Sequence, residues 1–347
     1  MKMREIADVA GVSLTAVSLV LNGKPGIGEG KREQIACLLQ ENGYQLRAAD
    51  APKRSHSQSN LCFLKYSKHS YLVNGNPGFV TQIMDAAGEE CRRHGYNLLV
   101  TAFSDFSAVN LPELLESPST GGVILLGTEL AEADMAHFAG IEKPFVIVDN
   151  ALDHLPYSSV TMNNADAVFG AVSYLYELGH RKIGFLYNSI PSSNDLARRT
   201  AFEASLRQLS LPFSEELVCR VFPTMDGARK SFGALLDGGI SLPSAFLANN
   251  DSIALGVMRA MQERGIRVPE DVSVIGFDGL PFSAMSDPPL TTVNVPCADI
   301  GRWAVDTLHQ QIRGRIRATS KILVSTHLHI RKSTAPPKAA AEEAKKE

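Results

Sequence analysis

The sequence predicts a small all-α head followed by a much larger α/β body, and three observations predict it. Residues 3–44 are short apolar helical stretches punctuated by Gly and Ser, residues 45–60 lose apolar periodicity, and residues 61–333 alternate short apolar runs with amphipathic segments. Alternation of that kind marks parallel βα units. With 347 residues, 44% of them apolar and 20% charged, the chain has material for more than one core.

In the head, Ala7 is small enough for two helices to cross closely and Gly11 suits a left-handed turn between them. Val17 and Val20 face inward from the second helix, with Ile6, Val9 and Val12 filling the apolar face. Ser13 is placed to cap that helix. This pattern at an N-terminus, followed by a linker, reads as a helix-turn-helix; a plain helical hairpin without a nucleic-acid role is the alternative. The outward residues at the start of the second helix, Leu14, Thr15, Ser18 and Leu19, would then enter the major groove. Thr15 can donate or accept a hydrogen bond, whereas Leu14 and Leu19 offer only apolar contact, most suitably to thymine methyl groups. Ser13, Asn22, Lys24, Lys31 and Arg32 suit phosphates better than bases, although a lone basic residue is as readily a solvated surface charge.

Residues 47–60, with Pro52 inside them, read as a hinge linker, and residues 335–347 as a disordered tail of Pro, Ala, Lys and Glu. In the body, the runs Leu61–Leu64, Asn97–Thr101, Gly122–Leu126, Phe145–Val148, Lys182–Leu186, Ser244–Ala248 and Val272–Phe277 suit buried strands. Helices are expected at Gly78–His94, Ala165–Leu178, Leu196–Gln208, Asp251–Arg264 and Cys297–Arg313. Strand ends that break into Asp149-Asn150, Asn249-Asn250-Asp251 and Asp278-Gly279 put polar groups where open α/β sheets bind ligands.

Charge is divided unevenly. Eight Lys and Arg against six Asp and Glu give residues 1–56 a net +2, so the overall −3 leaves −5 on the remainder. That balance excludes a uniformly basic coat and leaves room for a local DNA-binding module. Five scattered cysteines, none spaced Cys-x-x-Cys, point to free thiols in a reducing compartment rather than to zinc or disulfides. No basic-then-apolar leader and no spanning apolar run is present, so a cytoplasmic protein without membrane contact is expected. A phosphate-binding Gly-rich loop with Lys, a His-Glu-x-x-His pair and a Gly-x-Ser-x-Gly elbow are all missing, and no enzyme activity, cofactor or metal is expected.

The sequence resembles the lactose-repressor (LacI/GalR) family of bacterial regulators. In the head the resemblance is carried by Glu5-Ile6-Ala7-Asp8-Val9-Ala10-Gly11-Val12-Ser13, Ala16-Val17-Ser18, Val20-Leu21-Asn22-Gly23, Lys31-Arg32-Glu33-Gln34-Ile35 and Asn42-Gly43-Tyr44. In the body it is carried by Val148-Asp149-Asn150, Leu178-Gly179-His180-Arg181-Lys182-Ile183, Asn250-Asp251, Ala254-Leu255-Gly256, the string from Val268 to Asp278, Pro289-Leu290-Thr291-Thr292-Val293 and Arg331-Lys332-Ser333-Thr334. It spans residues 3–334 in family order.

The resemblance implies a homodimer on double-stranded operator DNA. Its body would be periplasmic-binding-protein-like, with two doubly wound parallel-sheet lobes that close on a small-molecule effector, a sugar being one candidate. The implied divisions are a helix-turn-helix domain at 1–46, the linker, and an effector-binding and dimerisation domain at 61–334. The N-lobe would take about 61–159 and 294–321, the C-lobe about 160–293 and 322–334. The implied effector contacts are Asp149, Arg198, Asn250 and Asp278, with Phe222 near a position that is often aromatic. Two carboxylates, a carboxamide and a guanidinium beside an apolar platform suit a polyhydroxylated ligand. Asp278 capping its following turn, Asp149 as a strand-end turn residue and Phe222 as core are the competing readings.

The departures matter too. Leu19 stands where the family commonly has a long polar or basic side chain, and Gly28 and Gly30 stand where a Ser or Thr cap is usual. The hinge neighbourhood Asp50-Ala51-Pro52-Lys53 offers neither easy helix nor apolar wedge, leaving Lys53 or Arg54 to lie along the minor groove electrostatically. Lys65–Asn76 is longer and more polar than usual, with Tyr66, His69 and Tyr71 as candidate pocket residues. The expected function is an effector-responsive, sequence-specific transcription regulator, a repressor of sugar or other catabolic genes. The alternative, a transport-type solute receptor, would need an export signal and has no use for the head.

Overall fold

Three helices make the head: α1 (Met3–Ala10), α2 (Leu14–Leu21) and α3 (Glu29–Glu41). The structure is a computed structural model describing residues 1–44 apart from Gly23 and Pro25, and 60–338 apart from Val109. It divides into two compact units, Met1–Gln58 and Ser59–Glu347. Gly11 ends α1 at φ +62°, a left-handed position that glycine adopts without Cβ strain. Ser13 Oγ then accepts the Ala16 N–H at 3.2 Å and starts α2. The head core is Ile6, Ala7, Ala10, Val17 and Val20, closed by Ile35 and Leu39 from α3. Val9 is a correction to the expected apolar face: it is 60% exposed, because α3 covers the side of α1 that carries Ile6 and Ala10. α3 starts at Gly28 with no side-chain cap, as its glycines suggest.

The body contains twelve strands among the described residues, in two six-stranded sheets. The first has the order β11 (Lys321–Val324), β5 (Ser158–Met162), β4 (Phe145–Val148), β3 (Thr120–Leu126), β1 (Asn60–Tyr66), β2 (Asn97–Phe103). The second has the order β12 (His327–His329), β10 (Thr291–Asn294), β9 (Ser273–Asp278), β8 (Ala245–Ala248), β6 (Ile183–Asn188), β7 (Val218–Val221). All pairings are parallel except β10 with the edge strand β12, so the second lobe is not purely parallel.

The chain passes between lobes three times. Because β5 and β11 lie wholly in the first sheet, two passages fall after Met162 and Val324, about three residues beyond the divisions expected at 159 and 321. The third follows β10, whose last residue, Asn294, still belongs to the second sheet, one residue beyond the C-lobe end expected at 293. The end also differs. Ala335 pairs through its N–H with Ser273 and through its carbonyl with His180, so the fold continues past Thr334; residues 339–347 lie outside those described.

Helices α4 (Pro77–Arg93) and α10 (Cys297–Ile312) cover the first sheet; α5 (Leu111–Glu116) lies against β3. The second sheet carries α6 (Asn164–Glu177), α7 (Ser193–Gln208), α8 (Met225–Asp237) and α9 (Asp251–Gln262). The α4–α10 crossing depends on Gly301, where a Cβ would sit 2.3 Å from the Ile83 carbonyl oxygen. Parallel strands buried on both faces bring all their carboxyl ends to one edge, and in both lobes those ends supply the polar clusters described next.

Candidate functional site

On the head, Leu14 and Thr15 are exposed at the start of α2, while Ser18 and Leu19 are half-buried. Among the described residues, the remaining polar candidates other than the exposed Lys24 have structural partners already. The Ser13 hydroxyl is the α2 cap, and Asn22 Nδ2 donates to the Ser18 carbonyl at 2.9 Å. Lys31 Nζ donates to the Ala10 carbonyl at 3.1 Å, at the negative end of α1, which leaves its two other protons available to an anion. Arg32 is tied to the Lys24 carbonyl. Lys53 and the rest of the hinge lie outside the described residues.

In the body, four strand ends and the starts of α4, α6 and α7 converge between the lobes. Asp149 follows β4 at φ +63° and Asp278 ends β9 at φ +107°, both in the left-handed region that a non-glycine residue adopts at a cost. Asp149 accepts from Thr128 Oγ1 at 2.5 Å and from Asn194 Nδ2 at 2.8 Å. Asp278 Oδ2 accepts from Asn76 Nδ2 at 2.6 Å, and its Oδ1 lies 3.8 Å from Arg198 Nη2.

Arg198 projects from α7 and is almost fully buried. It donates to Asn164 Oδ1 at 2.9 Å and to the Asn249 carbonyl, while its guanidinium lies 3.7 Å from the centroid of the Phe277 ring. Asn164 Nδ2 in turn donates to Asn194 Oδ1 at 2.8 Å. α7 can point Asn194, Asp195 and Arg198 at the cleft because Ser192 and Asp195 cap it reciprocally, Ser192 Oγ accepting the Asp195 N–H and Asp195 Oδ2 accepting the Ser192 N–H.

These groups enclose a cavity of about 40 Å³ lined by, among others, Leu72, Asn76, Thr128, Asp149, Asn194, Arg198, Asn250 and Asp278. Leu72, Ser192 and Asn194 also line an adjoining pocket of about 470 Å³ at the cleft mouth, with His69 and Glu129 on its wall. The inner cavity is far below the roughly 300–1,000 Å³ usual for small-molecule sites, so a ligand of sugar size occupies the mouth or parts the lobes.

Burial dominates the electrostatics. It pushes the Asp149 carboxyl up to about 6, against the pull of Thr128, Arg198 and Asn194. Burial likewise holds Asp278 well above the ordinary carboxylate range despite Arg198, and raises Asp195. One guanidinium thus serves three buried acids, and the site suits a neutral ligand rich in hydroxyl donors better than a further anion.

The structure brings Asp149, Arg198, Asn250 and Asp278 to one cavity. Two competing readings are answered by hydrogen bonds. The turn after β9 is held by Asp251, whose Oδ2 accepts the Leu280 N–H at 2.7 Å, and not by Asp278. The Asp149 side chain reaches Thr128 and Asn194 rather than its own turn. Asn250 has a second task, since its side chain accepts the Ile253 N–H and caps α9.

Phe222 is a correction. It does not line the cavity but packs edge-to-face on Tyr71 with centroids 5.0 Å apart. Tyr66 is core, packed with tilted rings against Phe103 and Phe106. Sequence reasoning passed over Asn76, Thr128, Asn164, Asn194 and Asp195. For the last two, the Ser192-x-x-Asp195 capping box at the start of a helical run was a usable signal. Among the described residues, no helix is long and apolar enough to cross a membrane.

Comparison with known proteins agrees with this geometry. Residues 2–45 match the family described as bacterial regulatory proteins, lacI family, and residues 172–334 match a periplasmic binding protein-like domain. The HTH-type transcriptional regulator reg1 of Streptomyces lividans is 31% identical over 96% of both chains. The ribose operon repressor of Haemophilus influenzae is 27% identical over 90% of this chain and 92% of its own. Among solved structures, the lac repressor dimer bound to operator and the anti-inducer ONPF is 26% identical, with a TM-score of 0.68 over 96% of this chain and 99% of that one. With a helix-turn-helix head, a two-lobed body whose strand ends meet in one cleft and these relatives along nearly its full length, the chain belongs to the LacI/GalR family of DNA-binding transcription regulators.

Proposed function

We propose that this protein is a homodimeric repressor of a catabolic gene set, acting on operator DNA in the cytoplasm, and that its interlobe cleft binds a neutral polyhydroxylated effector of sugar type. The observation that carries the reading is the convergence of Asp149, Arg198, Asn250 and Asp278, from both lobes, on one cavity. A ligand held by both lobes changes their relative preference for open and closed arrangements, and so changes operator affinity reciprocally. The lac repressor dimer on its operator and the name of the ribose operon repressor support the same reading. In the head, Leu14, Thr15, Ser18 and Leu19 read bases, and Ser13, Asn22, Lys31 and the linker residue Lys53 hold phosphates. The cleft is a binding site and not a catalytic one.

Gel retardation with the DNA upstream of the protein's own and neighbouring genes, at moderate salt, tests the first half. Specific retardation is expected, and its absence counts against the proposal. A thermal-shift panel including D-ribose and cellobiose tests the second, since a ligand that binds only the native fold raises Tm.

A further inference from the structure

The segment Ser67–Asn76 between β1 and α4 belongs to no helix or strand, yet four of its backbone N–H groups are held from within by one side chain. Glu129 Oε2 accepts the N–H groups of His69 and Ser70 at 2.6 and 3.2 Å, and its Oε1 accepts those of Leu72 and Val73 at 2.9 and 3.0 Å. Glu129 is 8% exposed. An irregular segment has no ladder to satisfy its backbone donors, and here a single carboxylate satisfies four of them with charge-assisted bonds. Glu129 also follows directly on Thr128, whose hydroxyl donates to Asp149, so adjacent residues at the end of β3 serve the cavity and the segment.

Held in this way, the segment reaches the other lobe at two points. Tyr71 packs on Phe222, and Asn76 Nδ2 donates to Asp278. Leu72 lines both the inner cavity and the mouth pocket. Asn76 Oδ1 is buried with no hydrogen-bond partner among the described residues, and Asn76 lines the inner cavity. A buried acceptor of that kind is unfavourable unless something donates to it.

We propose that Ser67–Asn76 is a strap that closes the effector cleft and that Glu129 is the residue that positions it. The inference rests on reading the cleft as the effector site. Glu129 stands on the wall of the mouth pocket, but its four side-chain hydrogen bonds all go to the strap, and the role assigned to it is positional. Glu129 acts through the strap, which brings Leu72 and the unpaired Asn76 oxygen to the cavity and ties one lobe to the other.

Hydrogen exchange on the full-length, sugar-free protein tests this without knowledge of the effector. In the wild type, the amides of His69, Ser70, Leu72 and Val73 are expected to be protected; exchange there at the unstructured rate overturns the clamp even if no variant folds. Glu129→Gln keeps the side-chain size but turns an NH2 group toward backbone donors. It is expected to speed exchange at 69–73 at least about tenfold, and to speed exchange in the facing segments 189–194 and 222–227 as well. A change confined to 69–73 shows a local loop anchor and overturns the strap; no change anywhere overturns both.

With D-ribose and cellobiose as probes, the sugar that binds the wild type is expected to bind E129Q about tenfold more weakly, mainly through faster dissociation. Undiminished affinity overturns the positioning role. If neither sugar binds the wild type, the proposed effector class fails while the exchange results still decide the strap.

Discussion

Asn194 donates from one Nδ2 to both the Oδ1 and the backbone carbonyl of Asp149, at 2.8 and 2.9 Å, and so ties the first turn of α7 in one lobe to the end of β4 in the other. The contact is buried and joins the two lobes across the cleft, in the manner of a latch.

Breaking that latch should favour the open arrangement. Asn194→Ala removes the donor and leaves a buried carboxylate with one fewer partner, a loss of about 1–3 kcal/mol. Asn194→Asp should be worse, because it sets a like charge against Asp149. Urea unfolding should rank wild type above N194A above N194D, and small-angle scattering should show a larger radius of gyration for both variants. Equal stability across the three would show that Asn194 carries no load.

Acid dependence follows from Asp149. Its folded value of about 6 lies above the ordinary 3.8, so the folded state holds this proton more tightly than the unfolded chain does. The associated stability is fully present below about pH 4 and is lost as pH rises through about 6, a span worth on the order of 3 kcal/mol at most. Asp149→Asn keeps both bonds, since Thr128 can reverse its hydroxyl, and cannot titrate. Unfolding midpoints between pH 4.5 and 6.5 should therefore decline less steeply in D149N than in the wild type. Parallel profiles would place the titration elsewhere; Asp251, raised by burial to about 7, is the next candidate.

Much of this was legible in the sequence, and the remainder was hidden for identifiable reasons. The Gly11 turn and the Ser13 cap are local features, and local chemistry sets them. Val9 reads as part of the apolar face because α1 alone cannot say which of its apolar residues α3 will cover. Short strands such as β7, β10 and β12 lack enough residues to show a period, and the passages after Met162 and Val324 are fixed by sheet membership. Asp149, Asn250 and Asp278 stood out as polar breaks after apolar runs. Asn194 and Asn76 did not, since their importance comes from partners 45 and 202 positions away.

Arg198 should be the hardest cleft residue to replace. Its fork is divided between the Asn164 side chain and the Asn249 carbonyl while its face lies on Phe277, and a lysine offers a point charge in place of that plane. With a sugar that binds the wild type, the ratio of operator affinities without and with sugar should collapse toward one in Arg198→Lys. Arg198→Ala should also lose about 3–5 kcal/mol of stability, because buried acids are left without their cation. A normal sugar response in R198K would remove Arg198 from the effector site.

The head carries the last prediction. Leu14 is 49% exposed at the first position of α2, where a helix-turn-helix presents side chains to base edges, and it can offer a base only apolar contact. Its natural target is a thymine methyl group, whose burial is worth about 0.8 kcal/mol, or roughly fourfold in affinity. Replacing operator thymines by uracil one at a time removes the methyl and leaves base pairing intact. One position per half-site should show that loss with the wild type, and Leu14→Ala should abolish the difference there while leaving other positions unchanged. If L14A and the wild type respond identically to every substitution, Leu14 faces solvent on the complex and base reading falls to Thr15 and Ser18.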